Sequence, residues 1–96
     1  MTIIFTARHF QAPDNLKDYA EEGVARFEKY FDRISQCEII MLHEKSMFIT
    51  EINLHIPQHN LYAKSSDPNG FKSIDDCVDK ISTQMVKIVD QWKKHR

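Results

Sequence analysis

The chain has 96 residues, enough for one domain with one hydrophobic core, so every functional residue belongs to a single unit spanning 1–96. Hydrophobic residues make up 42% and charged residues 28%, with only 2 Gly and 3 Pro, a balance that excludes a disordered or collagen-like chain. A net charge of -1 excludes nucleic-acid binding through overall basicity, but it leaves a local basic face open.

Residues 2–9 are rich in β-branched and aromatic types and read as a strand. Ala12-Pro13-Asp14 then starts a helix, with Pro in the first turn and an acid at the positive end of the dipole. Leu16, Tyr19, Ala20, Val24, Phe27 and Phe31 recur at steps of three and four, which predicts a helix from about 14 to 31. A second strand is expected over 36–44, around Cys37-Glu38-Ile39-Ile40-Met41-Leu42. A third is expected over 47–56, where Phe48, Thr50, Ile52, Leu54 and Ile56 alternate with Ile49, Glu51, Asn53 and His55. Pro57 ends it. Residues 60–66 read as a short fourth strand with Leu61, Ala63 and Ser65 inward, and Asp67-Pro68-Asn69-Gly70 as a turn.

The last helix has the cleanest pattern: Phe71, Ile74, Val78, Ile81, Met85, Ile88 and Trp92 at alternating steps of three and four. That seam would suit a coiled coil, but the buried face of the sheet needs a cover. A right-handed crossover makes the first two strands parallel, and the short later links make the remaining pairs antiparallel. The expected fold is therefore α+β, in the order β-α-β-β-β-α. Two helices cover one face of a four-stranded mixed sheet, and the opposite face, carrying Glu51, Asn53, His55, Tyr62 and Lys64, is wet.

Cys37 and Cys77 are far apart in apolar contexts and read as reduced, buried thiols. Met1–Arg8 has neither the basic start nor the apolar run of a signal peptide, and no stretch reaches the ~20 apolar residues of a membrane helix. The expectation is a cytoplasmic protein with no membrane partner. No enzyme motif is present: the only glycines, Gly23 and Gly70, form no phosphate loop, and no serine sits in a nucleophile elbow. His43, His55 and His59 lack a completed ligand spacing, so no metal is expected. Neither a cofactor nor a small-molecule substrate is expected.

The basic residues carry more. Lys80, Lys87 and Lys94 recur every seven residues, close to two helical turns, with Lys93 and Arg96 beside them. Arg26, Lys29 and Arg33 recur at three and four on the first helix. Two such stripes on neighbouring helices would form a cationic groove able to track phosphates. The same charges also suit the negative ends of helix dipoles and need no partner there.

Tyr30-Phe31-Asp32-Arg33-Ile34, after an amphipathic helix and before a strand, resembles the signature of the ribosome hibernation-promoting factors, a family formerly named for sigma-factor modulation. Arg8-His9, Ile74-Asp75, Asp79-Lys80, Gln84 and Lys87 extend the resemblance over nearly the whole chain, in order. The resemblance implies a fold related to double-stranded-RNA-binding domains. It also implies binding to small-subunit rRNA in the messenger and transfer-RNA channel of the ribosome, blocking translation and preserving idle ribosomes under stress. The RNA-binding residues it implies are Arg26, Lys29, Arg33, Lys80 and Lys87, with Lys93, Lys94 and Arg8 as further contacts. Ending soon after the last helix, the chain looks like the family's short type, in which pairing of ribosomes depends on a separate modulation factor. Thr83, Val89 and Gln91 depart from the family by standing where relatives carry basic residues, and Asn69 and Phe71 replace Asp and Tyr. A rival reading, invited by the old family name, is a protein-interaction module that pairs through the last helix.

Overall fold

The computed structural model describes residues 1–94. Strand β1 (Thr2–Arg8) leads to helix α1 (Asp14–Ala25) and a 3-10 turn (Arg26–Lys29). Strands β2 (Gln36–Glu44), β3 (Met47–Ile56) and β4 (His59–Asp67) follow, then helix α2 (Gly70–Lys94). The sheet order is β1-β2-β3-β4, with β1 and β2 parallel and the other pairs antiparallel, which is the expected architecture.

Alternation along each strand decides which residues meet the helices. Ile39, Ile52 and Ala63 lie side by side across three strands and are buried, as are Cys37, Leu54 and Leu61 in the next row. Leu16, Ala20, Val24 and Phe27 descend from α1, and Ile74, Cys77, Val78, Ile81 and Met85 from α2. The polar groups in this layer are paired in series. Ser73 Oγ donates to the Gly70 carbonyl at 2.8 Å, so Thr50 Oγ1 is the donor in the 2.7 Å bond between the two hydroxyls. Both cysteines are free and buried, as the sequence predicts. Burial pushes each thiol up to about 12, and Cys77 Sγ donates to the Ala63 carbonyl at 3.4 Å. They are structural thiols.

Two expectations need correction. The first helix was expected to run to residue 31, but the α-helix ends at Ala25 and one 3-10 turn follows, in which Tyr30 N–H donates to the Phe27 carbonyl at 3.0 Å. Winding at three residues per turn brings Phe27 fully inward and leaves Phe31 in the loop before β2. The open face of the sheet carries Glu51, Asn53, His55, Tyr62 and Lys64 as expected, and there Tyr62 Oη donates to Glu51 Oε1 at 2.6 Å. That hydrogen bond is the main reason the Tyr62 phenol is pushed up to about 12. The face is not uniformly polar, however. Ile4, Ile40, Leu42 and Ile49 lie on its other half, because the apolar run Ile39-Ile40-Met41-Leu42 sends side chains to both sides.

Candidate nucleic-acid interface

The helices run in the same direction. Tyr19 Oη donates to Asp75 at 2.7 Å, and the Tyr19 and Phe71 rings meet edge-on at 5.1 Å. One turn on, a Cβ at Gly23 would stand 3.4 Å from Val78 Cγ2, an ordinary van der Waals contact between the helices. Further on, Phe31 meets Trp92. Parallel packing puts both positive poles at one end of the helix layer and both negative poles at the other. The side chains follow the poles only in part. Asp14 and Asp18 of α1 and Asp75, Asp76 and Asp79 of α2 occupy the first halves of the helices, with Lys17 and Lys72 among them. Arg26, Lys29 and Lys87 occupy the later parts, with Glu28 and Asp90 among them.

Two of the sequence-predicted residues, Arg26 and Lys87, line one groove, and a third, Lys29, lies against Tyr30 on its wall. Exposed Arg26 lines it together with Tyr19, Glu22, Asp75 and Asp79. Lys29 follows three residues later on the 3-10 turn, where that spacing eclipses side chains, and its ammonium lies 5.0 Å from the Tyr30 ring centroid. Lys87 lines the continuation of the groove with Tyr30, Thr83 and Val86. Asp79 touches both stretches, so an acid stands between Arg26 and Lys87. Thr83, where a cation would have offset it, instead donates through Oγ1 to the Asp79 carbonyl at 3.0 Å.

The other predicted residues are placed elsewhere. Arg33 is off the helix stripe, because the helix has ended before it. It lines a separate cavity with Phe31, Asp32, Pro57, Gln58 and Trp92. Lys80 turns toward the free edge of the sheet and donates to the Lys64 carbonyl at 2.8 Å, beside Gln84 donating to the Tyr62 carbonyl at 2.9 Å. The two cap carbonyls of an edge strand. Arg8 ends β1 opposite Leu42, whereas the chain leaves Arg33 for Gln36 at the start of β2, so the two arginines mark opposite ends of the sheet. The side chains of Lys93 and Lys94 lie outside the described residues, as does Arg96.

The sequence offers Trp92 either as a core residue of the seam or as a ring that stacks on a base, but not the aromatic cluster it forms beside Arg33. The Phe31 and Trp92 centroids are 4.9 Å apart at 54°, and His59 lies 6.1 Å from Trp92. Trp92 shares the apolar seam of α2, but it is only partly buried because the helix runs on past the β3–β4 turn. Its place as the last seam residue was the available signal.

Comparison with known proteins bears on this geometry. Residues 3–93 match the family model described as sigma 54 modulation protein / S30EA ribosomal protein. A ribosome hibernation promoting factor of Escherichia coli (strain K12) is 26% identical over 95 residues, which cover 99% of this chain and all of that one. One from Azotobacter vinelandii is 31% identical over 87 residues, covering 91% of this chain and 81% of that protein. Among solved structures, a ribosomal subunit interface protein from Coxiella burnetii superposes with a TM-score of 0.85 at 25% identity, covering 92% of this chain and 97% of that one. The N-terminal domain of Thermus thermophilus Protein Y superposes at 0.84 with 23% identity, covering 92% of this chain and 99% of that domain, a likeness of fold. On the match of the family model across nearly its whole length, this chain belongs to the sigma 54 modulation / S30EA ribosomal protein family, whose curated members here are named ribosome hibernation promoting factors.

Proposed function

We propose that the protein is a ribosome hibernation factor that seats the side of its helix layer bearing Arg26, Lys29 and Lys87 against small-subunit rRNA, in the channel that messenger and transfer RNAs use. Occupying that channel inhibits translation and preserves idle ribosomes under stress. The observation that carries the reading is the gathering of Arg26, Lys29 and Lys87 along one groove at the end where both helices terminate. The names of the relatives and of the structural neighbour support the ribosome as the partner. Recognition is of phosphates and helical shape, because folded RNA hides its base edges from side chains. The acidic first halves of the helices are repelled by the same RNA, which fixes the direction of docking. Lys80 contributes less than its stripe suggests, since it must leave the Lys64 carbonyl to reach a phosphate. Arg8 makes at most a separate contact from the far end of the sheet. Pairing of inhibited ribosomes falls to a separate modulation factor.

Cosedimentation with small subunits tests this. Lys29→Glu with Lys87→Glu should weaken binding about 100-fold at moderate salt and lower the slope of log affinity against log salt by about 2. Lys80→Glu should do much less. Equal sedimentation of the double variant and the parent would remove the groove as the interface. Retention of a protein partner after nuclease treatment, without RNA, would favour the interaction-module reading.

A further inference from the structure

We propose that the cavity between Phe31 and Trp92 is a second RNA site, which takes one unpaired nucleobase by stacking. It rests on the reading above for the identity of the polymer, but it uses different chemistry from the cationic groove. The cavity has a volume of about 410 Å³, within the range of small-ligand sites. Its walls are of three kinds. Phe31 and Trp92, packed against each other with centroids 4.9 Å apart at 54°, supply aromatic surface on which a base can stack from outside the pair. Gln58 and Asp32 supply an amide and a carboxylate, which can accept hydrogen bonds from an exocyclic amine and, through the amide nitrogen, donate one. Arg33 supplies a guanidinium for the adjoining phosphate.

One feature argues against a passive gap at the margin of the core. Asp32 would be repulsive in a site for phosphate alone, whereas a carboxylate matches the amine edge of a base. The site also adjoins the cationic groove, because Tyr30 lines the groove and Phe31 the cavity. A strand whose phosphates follow Arg26, Lys29 and Lys87 can therefore turn one base into the cavity at Arg33. Stacking of this kind is sequence-tolerant, so the partner is single-stranded or bulged RNA rather than a continuous duplex.

Trp92 is the only tryptophan, so its emission reports the site directly. The full chain would be titrated with a single-stranded adenine hexamer and with an abasic hexamer of equal phosphate count. The adenine hexamer should quench Trp92 and bind about 10-fold more tightly than the abasic one. With affinities read from the fluorescence anisotropy of end-labelled oligomers, because the Trp92 variants have no tryptophan emission, Trp92→Leu and, separately, Phe31→Leu should bring hexamer affinity down to the abasic level and leave abasic affinity unchanged, while Trp92→Tyr retains it. Circular dichroism checks that each variant is folded, and if the leucine variants unfold, the two oligomers on the parent chain still decide. Equal affinity for both oligomers overturns the proposal. Quenching that rises with protein concentration in the absence of RNA also overturns it, by identifying the surface as a contact between copies. Small-subunit binding without base-dependent quenching sinks this inference and leaves the function standing. Base-dependent quenching without subunit binding does the reverse.

Discussion

The two ends of the helix layer solve different problems with the same two helices. At the end where the helices begin, the capping polar groups are satisfied, although Phe10, Leu16, Phe48 and Phe71 line an apolar cavity of about 560 Å³ there. Asn69 Oδ1 accepts from the Phe71 N–H at 2.9 Å and caps α2. Gly70 packs against Leu16 and Phe48, and the Thr50–Ser73–Gly70 chain satisfies the buried hydroxyls. Asp14 sits at the positive pole of α1, and the first turn of α2 carries no acid. At the end where the helices finish, the α-helix tightens to a 3-10 turn, the aromatic rings leave a cavity, and cations collect. Arg26, Lys29 and Lys87, gathered on one side, let a slightly acidic protein present a local positive surface to a polyanion without becoming basic overall.

The largest expected effect tests whether the two ends share one floor. Cys37 and Cys77 lie in the core that both helices cover, and burial raises both thiols from the ordinary value near 9 to about 12. A raised acid keeps its proton in the folded chain after the unfolded chain has released it. The unfolded state then binds fewer protons, and stability falls as pH rises from about 9 toward 12. Each thiol should cost about 1.4 kcal/mol per pH unit across that window. Urea unfolding at pH 8, 10 and 11 measures the slope, and Cys37→Ala with Cys77→Ala should flatten most of it. Survival of that slope in the double variant would move its origin to the phenols. Separate transitions for tyrosine and Trp92 signals would split the ends into independent units.

A glycine pair sharpens the contrast from the closed end. A Cβ at Gly70 would lie 3.3 Å from Leu16 Cδ1 and 3.4 Å from the Phe48 ring, with the site fully packed. Gly70→Val should therefore destabilise by about 2 kcal/mol through overpacking. At Gly23 the nearest atom is Val78 Cγ2 at 3.4 Å, an ordinary contact, inside a helix where glycine is unfavourable. Gly23→Ala should gain about 0.5–1 kcal/mol. Thermal denaturation reads both, and equal losses at the two sites would mean that the helices, not the closed end, set the packing.

Legibility in the sequence followed the strength of each pattern. Strands β2 and β3 alternate against a single buried face for most of their length, and their expected bounds match the structure. The α2 seam likewise held from Ile74 to Met85, because those positions bear directly on the sheet. The candidate site was harder to read because it depends on what lies beside each helix. Lys80 and Lys87 share a stripe by spacing, yet the edge carbonyls of β4 draw Lys80 one way while Tyr30 lies beside Lys87 on the other. Arg33 continues the stripe of Arg26 and Lys29 only if the helix continues, and the tightening at Phe27 ends it. No one-dimensional period encodes where a neighbouring element offers an acceptor. The cavity at Trp92 was invisible for the same reason, since its walls come from three segments of the chain.

Charge swaps at the groove test whether position or net charge governs binding. Lys29→Glu changes the net charge by two units at the open end, and Asp18→Lys changes it by two units in the other sense, two turns before Arg26 on α1. If position governs, Lys29→Glu weakens small-subunit binding about 10-fold, while Asp18→Lys strengthens it less than about 3-fold, because charges about a Debye length from the phosphates are screened. Mirror-image effects of equal size would reduce the polarity of the helix layer to its charge sum.

The smallest effects concern the two hairpin turns, one at each end. The β2–β3 turn places Lys45 and Ser46 at φ 50° and 65°, and the β3–β4 turn places Gln58 at 68°. All three occupy left-handed conformations that favour glycine or asparagine. Ser46→Gly and Gln58→Gly should each gain about 0.5–1 kcal/mol, a rise in Tm of about 2–8 °C for a domain of this size. Their binding should differ. The β2–β3 turn joins Glu44 to Met47 at the closed end, so Ser46→Gly leaves RNA affinity unchanged. Gln58 lines the Trp92 cavity, so Gln58→Gly should trade its gain in stability for a loss of several-fold in adenine-hexamer affinity. Strain that can be removed without loss at one end but not at the other would show which end the fold keeps for binding.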